Sequence, residues 1–181
     1  NTASAKAVAE QREKFKPTPF IAIEPAYKMV YDKNPDGFTL VMATKGTLES
    51  EKFHRLYYKY NNHKTELHAC VGLADVIEKG DREEIKKHLS DTLSQYRGKV
   101  DNVVLGCTHY PLVKKEVLGN VRFFDGAEGV SKQLKRVLCE NGILSDKKER
   151  ANIEFIDSSA DEKTREIKKQ RFYKIISEDN I

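Results

Sequence analysis

A thiol, a hydroxyl and an imidazole stand at consecutive positions in Cys107-Thr108-His109. The thiolate is the reactive form of cysteine, and a neighbouring imidazole or a helix N-terminus raises its population at neutral pH. The residues just before, Val103-Val104-Leu105-Gly106, form a short aliphatic run after Asp101-Asn102, which predicts a buried strand, and Pro111 suits the first turn of a following helix. Cys107 is therefore expected where a strand stops. In open α/β sheets ligands collect beyond the carboxyl ends of strands, beside helix N-termini that favour anions. A carboxylate substrate and a reactive thiolate both suit that place. A lone cysteine is otherwise a small buried hydrophobe; Thr108 and His109 tip the reading towards chemistry.

The elements that must position this segment follow from periodicity. Ala3 to Phe15 reads as a helix, Pro17 and Pro19 punctuate, and Phe20-Ile21-Ala22-Ile23 reads as a short strand. A helix near Pro25, a strand from Phe38 to Ala43, and a helix to about Tyr60 capped by Thr47 come next, with Phe53, Leu56, Tyr57 and Tyr60 on one face. Leu67 to Cys70 reads as a strand. Ile85, Leu89, Leu93 and Tyr96 recur at helical spacing, Val121 to Phe124 reads as a strand, and Val130, Leu134, Val137 and Leu138 mark another helix. Asn141 to Arg150 reads as an exposed connection, and Ile153 to Ile156 as one more strand. Alternating strands and helices imply βαβ units, hence an α/β fold with a mostly parallel sheet.

Composition narrows the function classes. The chain has 181 residues, enough for a sizeable core, and 32 basic against 28 acidic residues leave a net charge of only +4. The charges are interspersed, as in Lys147-Lys148-Glu149-Arg150 and Lys168-Lys169-Gln170-Arg171, without an aromatic platform for bases, which argues against nucleic acid. No run approaches the roughly 18 apolar residues of a membrane span. Cys70, Cys107 and Cys139 lie far apart, with no CxxC pair for zinc, and read as free thiols of a reducing, cytoplasmic compartment. His54, His63 and His88 lie among charges and read as surface residues. No metal or cofactor is expected.

The ten residues VVLGCTHYPL from Val103, together with the opening Asn1-Thr2-Ala3-Ser4-Ala5, resemble the glutamate racemases of the aspartate/glutamate racemase superfamily. That resemblance implies two pseudo-symmetric α/β lobes and cofactor-independent interconversion of L- and D-glutamate by two cysteines, one on each face of the α-carbon, supplying D-glutamate for peptidoglycan and so for cell wall biogenesis and cell shape. It assigns Cys107, assisted by His109, to the L-glutamate face. It implies substrate contacts from Asn1, Thr2, Thr44, Thr47, Thr108 and His109, and places Glu78 as a second-lobe acid. Thr44-Lys45-Gly46-Thr47 matches the family's glycine-threonine loop in part, since Ala43 stands where glycine is usual; a strand-to-helix turn with Thr47 as N-cap is an equal reading of it. Val71 stands where the family has proline, and a solvent-facing Glu78 is the competing reading there. Cys70 reads as structural.

In the family a first catalytic cysteine directly precedes the Asn-Thr-Ala motif. The expectation is therefore a chain with the first lobe incomplete and little activity by itself. Residues 1–37 would belong to the first lobe, 38–124 to the second, and 125–181 to a return into the first with a C-terminal helix. The expected partners are glutamate and a second copy of the chain in a homodimer. The alternative is a catalytically incomplete glutamate-binding or interaction protein of the same fold. A thiol hydrolase with a Cys107–His109 dyad is a third reading, which needs a third group to orient the base.

Overall fold

The computed structural model describes residues 2–117, 119–147, 149 and 152–178, with the backbone alone for 2–6 and 178. They divide into two compact units, Asn1–Leu144 and Ser145–Ile181.

The first unit is built on four strands, β1 (Thr39–Ala43), β2 (Thr65–Ala69), β3 (Asn102–Leu105) and β4 (Arg122–Phe124), in the order β2-β1-β3-β4 with every pairing parallel. The expected α/β class and parallel sheet are thus found. β1 and β3 are buried at every position. That is why they read as continuous apolar runs, since a parallel sheet is covered on both faces. Alternation sends Leu40, Met42, Val103 and Leu105 to one face and Val41, Val104 and Phe124 to the other. On the first face pack α5 (Leu73–Lys79) and α6 (Arg82–Leu93); on the second pack α2 (Tyr27–Lys33) and α4 (Glu51–Tyr60), with the short α3 (Lys45–Leu48) leading into α4. α1 (Thr2–Lys14) precedes this core and α7 (Ala127–Glu140) follows it.

The chain leaves β1 towards β2 and returns across the sheet to β3, so the strand order reverses between β1 and β3. Crevices open at such a switch point, beyond the carboxyl ends of the two strands. Gly106 lets the strand ends approach there: its N–H donates to Met42 O at 2.7 Å, and a Cβ on it would meet Ala43 Cβ at 2.8 Å and Met42 O at 2.9 Å.

Three local expectations are corrected. Phe20–Ile23 joins no ladder. Thr44, not Thr47, is the N-cap after β1: its hydroxyl accepts from Thr47 N–H, α3 lasts four residues, and Ser50 then caps α4 through Phe53 N–H. Ile153–Ile156 is not a strand. In the second unit this stretch lies alongside α8 (Glu162–Glu178), with Tyr173 donating to Ile153 O at 3.1 Å and the rings of Phe155 and Phe172 5.3 Å apart. Among the described residues no helix is long and apolar enough to cross a membrane.

Candidate active site

The turn after β3 carries Cys107, Thr108 and His109 over the switch point, with Thr108 exposed and the other two half-buried. The turn is short because Pro111 starts a single 3-10 turn, Tyr110–Val113, in place of the longer helix expected there. Cys107 Sγ lies 3.7 Å from His109 Nδ1. On the far side of the ring, Nε2 lies 2.9 Å from Glu78 Oε1. Glu78 sits in the last turn of α5, one position past Val76 and Ile77, whose burial fixes the helix face and leaves Glu78 facing outward. A carboxylate on Nε2 accepts that nitrogen's proton and leaves Nδ1 with its lone pair towards the thiol. The arrangement can take the Cys107 proton onto His109 and stabilise the resulting imidazolium with Glu78.

Thr44 and Thr47 occupy the neighbouring strand end. Their hydroxyls are 2.9 Å apart, and Thr47 is buried while Thr44 is half-buried. β1 pairs with β3 as Met42 with Leu105 and with β2 as Ala43 with Ala69, so continuing the register puts Thr44 level with both Cys107 and Cys70. Two hydroxyls and the thiol therefore share one edge. Of the other expected site residues, Asn1 lies outside the described residues, and Thr2 is described by its backbone alone.

Behind the edge lies a second layer of titratable groups. Cys70 is buried, and that burial pushes its thiol up to about 12, so it stays protonated and inert at neutral pH. Tyr110, which the sequence reading did not single out, is fully buried, and its hydroxyl donates to Cys70 O at 3.3 Å. Burial, foremost, holds that phenol protonated far above its ordinary range. The only signal for Tyr110 in the sequence is a large aromatic next to a polar turn. Cys139 is exposed on α7. Among the described residues no group of three or more His, Cys, Asp or Glu side chains could hold a metal ion.

The chain is similar to known racemases. Residues 1–133 match the Asp/Glu/Hydantoin racemase family. A glutamate racemase of Clostridium perfringens is 39% identical over 178 residues, covering 94% of this chain and 68% of the relative. Among solved structures, Escherichia coli glutamate racemase in complex with L-glutamate and the activator UDP-MurNAc-ala is 27% identical, with a TM-score of 0.65 over 73% of this chain and 53% of that one. Francisella tularensis glutamate racemase in complex with D-glutamate is 26% identical, with a TM-score of 0.63 over 82% of this chain and 58% of that one. This chain thus spans little more than half the length of those two structures. With a thiol, an imidazole and paired hydroxyls gathered at the switch point of a parallel sheet, and most of its length matched, the chain belongs to the Asp/Glu/Hydantoin racemase family.

Proposed function

We propose that this chain supplies one face of a glutamate racemase site, with Cys107 as the base that exchanges the α-proton of L-glutamate. The observation that carries this reading is the contact chain from Cys107 Sγ through His109 to Glu78, 3.7 Å and 2.9 Å in its two steps. His109 takes the thiol proton, the thiolate removes the substrate's α-proton, and the electron pair left on the α-carbon delocalises into the substrate carboxylate. That step is steep, because a free amino acid's α-proton is far less acidic than a thiol, so fixed donors must hold the carboxylate as charge develops. Thr44, Thr47 and Thr108 fill that role at the edge, with Asn1 and Thr2 as the contacts that the family resemblance adds. Glutamate as substrate is supported by the glutamate racemases among the relatives, two of them solved with one enantiomer each.

Inversion also needs an acid on the opposite face. The sequence contains three cysteines. Cys70 is level with Cys107 in the register of the sheet and buried behind the same edge, not on the opposite face of a substrate, and Cys139 is exposed on α7, so neither is assigned as that acid. The 181-residue chain by itself is proposed to exchange without inverting, with the second lobe at 38–124 carrying Cys107 and the flanking segments belonging to the first. In the cell the reading is of a cytoplasmic, homodimeric enzyme without cofactor, supplying D-glutamate for peptidoglycan.

The test is proton NMR of each glutamate enantiomer in D2O with the chain. Loss of the α-proton signal from L-glutamate with retained configuration, abolished in Cys107→Ser, is the expected result. Net racemisation by the 181 residues would place a second base where none is assigned. Binding of glutamate with no exchange would favour the catalytically incomplete binding protein.

A further inference from the structure

The contact between His109 and Glu78 joins side chains that are 33% and 66% exposed. A hydrogen bond between a charged and a polar side chain with water around them holds geometry poorly, because solvation competes and two side chains lose freedom. The partners also hang from different strands: His109 from the turn after β3, Glu78 from the helix that follows β2, with β1 between. Something firmer than their own contact must keep the imidazole and the carboxylate in register.

We propose that Tyr110 is a positioning residue, tying the turn that carries Cys107 and His109 to the start of the helix that carries Glu78. Its ring is fully buried in the core, and its hydroxyl reaches back to the carbonyl of Cys70 at 3.3 Å. Cys70 is itself held to the sheet, its N–H donating to Ala43 O at 2.9 Å, and it stands just before the left-handed turn at Gly72, φ 75°, that begins α5. The path from Tyr110 to Glu78 therefore runs through a buried hydrogen bond and a helix whose Leu73, Val76 and Ile77 are all buried. Without the hydroxyl, the α5 start and the β3 turn can drift apart, Glu78 leaves Nε2, and His109 no longer keeps its lone pair on Cys107.

The inference rests on Cys107 being the reacting thiol, but its readout is alkylation, which needs no turnover. The experiment measures the iodoacetamide labelling rate of Cys107 by peptide mapping across a pH series, in the wild type, Tyr110→Phe, Glu78→Gln and the double variant, with Cys139 as internal reference. Tyr110→Phe should slow Cys107 at neutral pH about fivefold, the loss expected for one hydrogen bond, and move its pH profile upward while Cys139 is unchanged. The double variant should label no more slowly than Glu78→Gln, because both act through one contact. An unchanged rate in Tyr110→Phe, or effects that multiply in the double variant, would overturn the proposal. If Tyr110→Phe does not fold by circular dichroism, Gly72→Ala enters the same cycle. It strains the φ 75° turn, a Cβ there meeting only His88 Cε1 at 3.8 Å, and should again slow Cys107 non-additively with Glu78→Gln. A chain that shows this coupling yet never exchanges the α-proton of glutamate would sink the proposed function and leave the positioning role standing.

Discussion

The two faces of the sheet are unequally filled. Under α5 and α6 a cluster of sixteen buried residues runs from Leu40 and Met42 through Leu89 and Leu93 to Tyr110 and Val117. Beneath α2 and α4 the cluster has seven, and α7 buries none of its residues, leaving Leu134 45% exposed. The proposed reacting thiol sits on the filled side: Cys107 packs against the larger cluster, and Tyr110 and Cys70 are members of it. The difference teaches where precision comes from. A site that must hold a thiol, an imidazole and a carboxylate in line is backed by the close-packed face, since interiors of that density transmit displacement instead of absorbing it.

Predictions can break or sharpen this contrast. The largest effect is expected from Leu93→Ala in the filled cluster, where a 2% exposed side chain leaves a cavity costing about 2–5 kcal/mol in urea denaturation. A loss under about 1 kcal/mol would mean the face is looser than described. Next comes Gly106→Ala, whose Cβ would meet Ala43 Cβ at 2.8 Å, expected to cost about 1–3 kcal/mol and to change Cys107 labelling with it. Helix caps act locally, so the contrast should vanish there. Asp81→Ala, losing bonds from Glu83 and Glu84 N–H, and Ser50→Ala, losing one from Phe53 N–H, should each cost about 1 kcal/mol although they cap helices on opposite faces.

A smaller effect is expected from His68. Burial, foremost, lowers its pKa below the ordinary 6.5, and its ring nitrogen lies 3.3 Å from Tyr96 Oη, which in turn donates to Glu66 at 2.9 Å. The unfolded chain then binds more protons than the folded one, so stability falls as pH drops below about 6.5. His68→Gln should flatten that part of a melting-temperature profile, and an unchanged slope would assign it to another group. Smallest of all, Leu134→Ala on α7 should shift stability by no more than about 0.5 kcal/mol, because the side chain is already half in water. A loss like that of Leu93 would show that α7 is packed as closely as α6.

Much of the fold was legible in the sequence for a physical reason. A parallel sheet covered on both sides needs continuous apolar strands, so Thr39–Ala43 and Asn102–Leu105 declared themselves, each within a residue of expectation. Apolar residues at helical spacing did the same for α6 and α7. Where an apolar stretch lacked a neighbour to pair with, as at Phe20–Ile23 and Ile153–Ile156, composition suggested a strand that ladder formation did not supply. A strand is a relation between segments, and no window of sequence contains its partner.

At the site the division is sharper. Residue type and order alone determined that Cys107 would stand at a strand end with a hydroxyl and an imidazole beside it, because glycine, proline and an aliphatic run act locally on the backbone. Tertiary structure alone decided the rest. Glu78 stands thirty-one residues from His109 in the chain, and the substitution of Val71 for proline had left its register open; only the packing of α5 with the β1 and β3 side chains of one sheet face brings its carboxylate to Nε2 at 2.9 Å. Tyr110 meets the Cys70 carbonyl across forty residues for the same reason. Local chemistry is written in neighbouring side chains, whereas the distance between two groups on different strands is set by the core that both elements share.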